Sequence, residues 1–145
     1  MKRLLCFLGA GVWLVAGLDL ALPAGARDEP KPEQAAVIAA EQWLTLLDQA
    51  QYAGSWREAA AALKTAVREK KWKQTMQPLR APLGPVVGRK LKSAEFTNDL
   101  PGAPEGEYVR VQFATEFANR KSATETVTTV KEKDGRWRAS AYVVR

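Results

Sequence analysis

Two arginines bracket a stretch rich in proline and glycine: Arg80 and Arg89, with Pro82, Gly84, Pro85 and Gly88 between them. A guanidinium presents a planar fork of donors that matches a carboxylate or a phosphate. The pair could therefore hold an anionic ligand. The same forks could instead bond loop carbonyls or pair with Glu107, Glu116 or Glu125, fixing the loop to the rest of the chain. Among the carboxylates, Glu116 and Glu125 are the candidates for catalysis, because a buried Glu with a raised pKa can serve as a general base in an apolar cavity. Glu116 shares its side of a strand with Arg110 and Gln112 and reads as solvated. Glu125 sits among Thr124, Thr126 and Thr128, which leave its side open. Trp43, Trp72 and Tyr108 join Arg80 and Arg89 as ligand-binding candidates. The tryptophans Trp43, Trp56, Trp72 and Trp137, with Phe113 and Phe117, could equally be plain core.

The chain has no histidine and one cysteine, Cys6, in 145 residues. A Ser-His-Asp triad, a histidine base and a His/Cys zinc site are thereby excluded, and neither metal nor cofactor is expected. Lys and Arg number 22 against 16 Asp and Glu, for a net charge of +6. The basic residues are spread out and no glycine-rich phosphate loop follows a strand, which argues against nucleic acid. Anionic envelope surfaces suit the charge better. The run from Arg68 to Lys73 reads as an anion-binding patch or as a solvated helix face.

The N-terminus has the order of a secretory signal: Lys2-Arg3, an apolar run from Leu4 to Leu18, and Ala24-Gly25-Ala26. The run is shorter than the roughly 20 residues that span a bilayer, and Asp19 would be costly in hydrocarbon. The expected organisation is a signal over 1–26, a flexible leader over 27–34, and one domain over 35–145. Cleavage before Arg27, with Val15-Ala16-Gly17 as a poorer alternative site, leaves 119 residues of net charge +5, without cysteine and with no stable membrane span. A periplasmic or secreted location follows.

These candidates must be held by regular elements. Between Glu33 and Ala50, the apolar residues Ala36, Ala39, Ala40, Trp43, Leu46, Leu47 and Ala50 recur at helical spacing. Ser55-Trp56-Arg57-Glu58 has the form of a capping box, opening a second helix with Trp56, Ala60, Leu63 and Val67 on one stripe. A phase break at Lys70-Lys71, before Trp72, Met76 and Leu79, predicts a kink or a third short helix. Pro78, Pro82, Gly84, Pro85 and Gly88 exclude regular helix across 76–90. The period then becomes two, over 90–97, 107–117 and 124–132. Asp134-Gly135 marks a hairpin, and a last strand over 136–144 has Trp137, Ala139, Ala141 and Val143 on one side. Helices followed by an antiparallel meander specify an α+β domain.

The motifs match a known pattern. Trp43-x-x-x-x-Asp48, Tyr52, Ser55-Trp56, Trp72 and Arg80-x-Pro82-Leu83-Gly84-x-x-x-x-Arg89 are followed by Leu100-Pro101-Gly102-x-Pro104-x-Gly106-Glu107-Tyr108. Phe113-x-Thr115-x-Phe117, Glu125-Thr126-Val127 and Asp134-Gly135-x-Trp137 through Tyr142 complete the order. Over about residues 36–144 the chain resembles the small bacterial exported proteins of domain of unknown function 4019. The resemblance implies N-terminal helices packed on a curved four-stranded antiparallel sheet, the nuclear transport factor 2-like or cystatin-like cone. It implies no reaction, because that fold carries isomerases, dehydratases and binding modules alike. Three functions are expected to compete: a non-enzymatic exported binding protein, taking a small ligand or an envelope protein at the cone or sheet face; a carboxylate-dependent isomerase or hydro-lyase using Glu125 or Glu116 on a small anionic substrate; and charge-driven attachment to anionic envelope surfaces. By fold analogy a homodimer through the sheet is reasonable.

Overall fold

The computed structural model describes residues 29–145. The expected signal, its cleavage site and Cys6 lie outside them.

Helix α1 runs Pro32–Asp48 and starts on a proline, whose missing N–H costs nothing at a helix start. Its buried stripe is Ala36, Ala40, Trp43, Leu44 and Leu47. The helix closes in a Schellman motif: the N–H of Gln51 donates to Leu46 O at 2.8 Å and that of Ala50 to Leu47 O at 3.0 Å. Ala50 takes the left-handed conformation usual for glycine there, with φ 56°.

The expected second helix is divided. Helix α2 covers Tyr52–Glu58 and α3 covers Ala61–Ala66, because Ala59 and Ala60 are extended and the Ala60 N–H donates to Ala139 O at 2.8 Å. The capping box does not form. Ser55 lies inside α2, and its hydroxyl donates to Tyr52 O at 2.8 Å. The first turn of α3 is capped from far away, by Glu132 Oε1 accepting from the Ala61 N–H at 2.7 Å.

Helix α4, Glu69–Arg80, supplies the third helix that the phase break predicts. It continues through Pro78, contrary to expectation. Gln74 and Pro78 face solvent, so water can satisfy the Gln74 carbonyl that the proline leaves without an intrahelical donor. Meanwhile Trp72, Met76 and Arg80 carry the buried stripe to the end of the helix.

A 3₁₀ turn, Ala81–Leu83, leads through Gly84 into four strands: β1 Val86–Thr97, β2 Tyr108–Phe117, β3 Arg120–Lys131 and β4 Trp137–Val144. They form an antiparallel sheet in sequence order. The helices cover one face, with core residues Trp43, Leu44, Leu47, Trp72 and Met76 meeting Val109, Val111, Phe113, Val127 and Tyr142. The described residues thus close their own core.

Strand β4 departs from simple alternation. Thr128 pairs with Ala141 and Thr129 with Ala139, so Ser140 is the extra residue of a bulge. Ala139 and Tyr142 therefore point inward, while Ala141 and Val143 are exposed. The expected side shared by Trp137, Ala139, Ala141 and Val143 is broken at Ser140.

Candidate functional site

Glu125 is the one carboxylate among the described residues with no exposed side-chain surface. Burial alone would make an ionised carboxylate costly. Four donors occupy its two oxygens. Oε1 accepts from Arg80 Nη1 at 2.6 Å and from the Tyr142 hydroxyl at 2.6 Å. Oε2 accepts from Arg89 Nε at 2.7 Å and from the Thr115 hydroxyl at 2.6 Å.

Asp48 closes the arrangement from the end of α1. It accepts from Arg80 Nη2 at 2.5 Å, and from Arg89 Nη1 and Nη2 at 2.8 and 2.9 Å. Arg80 Nη1 also donates to the Tyr142 hydroxyl at 2.8 Å, and its guanidinium carbon lies 5.0 Å from the centre of the Phe117 ring. Two guanidiniums and two carboxylates cancel in charge. Every buried side-chain polar atom among the described residues has a partner.

The network draws on distant elements: Asp48 from α1, Arg80 from α4, Arg89 from β1, Thr115 from β2, Glu125 from β3 and Tyr142 from β4. Each is aimed by its own element. Arg80 is the last residue of the buried α4 stripe, while Thr115 and Glu125 occupy inward positions of neighbouring strands. Tyr142 reaches inward only because of the Ser140 bulge.

Burial pushes the Glu125 carboxyl up, but the hydrogen bonds from Arg89, Thr115 and Tyr142 more than reverse this and hold it below the ordinary carboxylate value. Burial, and then the Glu125 charge, raise the Tyr142 phenol above its ordinary value. Burial lowers Arg89, and its bonds to Asp48 and Glu125 outweigh that and raise it. These directions fix an ionised Glu125, charged guanidiniums and a protonated Tyr142 phenol.

Of the candidates read from sequence, Arg80, Arg89 and Glu125 come together. Glu116 stands apart, exposed on the outer face of β2. Trp43 and Trp72 are core residues with ring centres 6.0 Å apart. Both indoles are anchored on Ser55, Trp43 Nε1 donating to its carbonyl at 2.8 Å and Trp72 Nε1 to its hydroxyl at 3.0 Å. Tyr108 lies on the outer side of the sheet, its hydroxyl donating to Pro104 O at 2.8 Å. Asp48, Thr115 and Tyr142 escaped the reading of charge and periodicity, although all three stand at quoted motif positions.

The family model described as "Protein of unknown function (DUF4019)" matches residues 39–142, a span that contains the whole network. The chain belongs to the DUF4019 family. No curated protein matches this DUF4019 chain in sequence. A solved structure of a proposed ketosteroid isomerase from Shewanella frigidimarina is similar, at a TM-score of 0.50 and 16% identity, covering 77% of this chain and 94% of that one. A proposed NTF2-like transpeptidase from Campylobacter jejuni gives a TM-score of 0.45 at 15% identity, covering 69% and 92%. These likenesses concern fold. The DUF4019 domain is an α+β cone of the nuclear transport factor 2-like kind.

Proposed function

We propose that this protein is an exported, non-enzymatic interaction module whose partner docks on the open outer face of the sheet. One observation supports this above all: the interior of the cone is filled. Trp43, Trp72, Phe113 and Tyr142 pack its centre, and the neutral network of Asp48, Arg80, Arg89 and Glu125 closes the remainder. Among the principal clefts of the described residues, one reaches Arg89 and Thr115 from the β1–β3 side and one reaches Trp43 and Ala139, but none is lined by Glu125. A general base needs a free lone pair and a pKa near working pH. Glu125 has all four acceptor positions taken and a lowered pKa. The geometry therefore speaks against an isomerase or hydro-lyase built on it.

The outer face has the opposite character. Thr124, Thr126 and Thr128 form an uncharged row on β3, flanked by Ala114 on β2 and Val143 on β4. Val143 is 43% exposed. Gln112 and Arg110 stand beside Thr126 and Thr128 on β2, so the uncharged part is confined to the threonines, Ala114 and Val143. A docking partner buries such a centre and leaves charges such as Arg110 at its rim. A small ligand, an envelope protein or a second copy of the chain would each use it.

The test is retention of envelope material on an immobilised chain beginning at Arg27. The wild type and an Asp48→Asn variant should retain the same partner, and an Ala114→Arg/Val143→Arg variant with native circular dichroism should lose it. Equal retention by the sheet variant overturns the reading. So does consumption of a small molecule that is abolished by Glu125→Gln.

A further inference from the structure

The positive charge of this domain is not evenly placed. Between Arg57 and Lys73 six basic side chains stand against two acidic ones, whereas residues 29–145 as a whole carry 19 against 14. Nearly all of the excess therefore lies in one corner, where α2, α3 and α4 meet. The corner is built tightly. Trp56 Nε1 donates to Val67 O at 2.8 Å, the Lys64 ammonium lies 5.9 Å from the centre of the Trp56 ring, and Arg57 reaches Glu69 at 3.7 Å. Arg68, Lys70, Lys71 and Lys73 are exposed, and among the described residues none of them has a carboxylate partner.

Two of these lysines stand where they weaken their own helix. Lys70 and Lys71 occupy the first turn of α4, the positive end of the helix dipole, where acidic residues stabilise and cations do the reverse. Local stability does not explain them, whereas an outward positive field does. The shape narrows the partner. None of the principal clefts of the described residues is lined by any residue from 63 to 73, and the exposed lysines and Arg68 stand on an open surface. Charges on flexible stems at an open surface suit a partner that is itself extended, anionic and laterally diffuse.

We infer that the α2–α3–α4 corner docks this protein onto anionic phospholipid bilayers. The corner is helical and the outer sheet face carries no helix, so the inference stands apart from the sheet-face reading.

The test is cosedimentation of the chain beginning at Arg27 with phosphatidylcholine vesicles, with and without phosphatidylglycerol. Binding is expected only with phosphatidylglycerol, and release on raising the salt to about 1 M, where the screening length falls to about 3 Å. Lys70→Glu/Lys71→Glu/Lys73→Glu should weaken binding by about tenfold or more. An equal reversal on β1 and β3, Lys90→Glu/Lys92→Glu/Lys121→Glu, should change it by less than about twofold. If the first triple variant fails to fold, the corresponding Lys→Gln triple should still show a graded loss. The inference is overturned by equal loss in both sets, by no loss in the corner set, by binding to phosphatidylcholine alone, or by binding to a soluble polyanion such as heparin without vesicle binding.

Discussion

Glu125 shows how a residue type that suggests catalysis can be committed to architecture. Removing a carboxylate from between the buried Arg80 and the part-buried Arg89 leaves charge uncompensated, so Glu125→Gln should destabilise by about 3–5 kcal/mol in urea unfolding. The pH dependence has a definite sign. Because the folded-state pKa lies below the ordinary 4.5, the contribution is complete above about pH 4.5 and is lost as pH falls through the lower folded value. The stability gap between wild type and Glu125→Gln should therefore be flat above pH 5 and narrow in acid. A gap that instead widens below pH 4.5 would contradict the assignment. At the alkaline end, Tyr142 is raised above its ordinary 10.0, so its contribution holds below about pH 10 and fades above. Ala50 offers a change of opposite sign. Its φ of 56° suits glycine, and Ala50→Gly should raise stability by up to about 1 kcal/mol in the same assay.

At the scale of elements, the bulge in β4 and the cap on α3 decide where side chains point. Deleting Ser140 would remove the extra residue and leave Ala139, Ala141 and Tyr142 opposite Thr129, Thr128 and Val127 in plain alternation, with Tyr142 still inward. That deletion should therefore keep the Tyr142 bonds to Arg80 and Glu125 and cost little more than Ser140→Ala, which removes only the hydroxyl bond to Thr128 O at 3.1 Å. A melting temperature far below that of Ser140→Ala would show that the bulge itself, and not the pairing on either side of it, holds Tyr142 in place. Helix α3 has no side-chain cap of its own and borrows Glu132 from the β3–β4 hairpin, which also suits the helix dipole. Glu132→Ala should cost about 1 kcal/mol, read in urea unfolding. The β1 entry is equally constrained. Gly84 has φ 74°, and a Cβ there would lie 3.0 Å from Asn119 Nδ2, so Gly84→Ala should destabilise by roughly 1–3 kcal/mol.

For the whole molecule, sequence periodicity was sufficient for the architecture. The stripe of α1, the phase break before Trp72, the switch to period two and the Asp134-Gly135 turn each state a local preference, and together they allow little besides helices on an antiparallel meander. Residue type was sufficient to exclude a histidine base and a His/Cys zinc site. It also marked Arg80, Arg89 and Glu125 as residues worth watching. What the chain alone left open was which way Glu125 faced and what met it. Asp48, 32 positions before Arg80, and Tyr142, 17 after Glu125, carry no local sign of partnership, and the bulge that turns Tyr142 inward leaves no mark in hydrophobic alternation. The capping box at Ser55 misled for the same reason: a local hydrogen-bond pattern gave way to the demands of two buried indoles. Local periodicity is a property of neighbours in sequence and can be read there. Ion pairing and burial depend on which distant segments share a low-dielectric interior, and only the packed chain decides that.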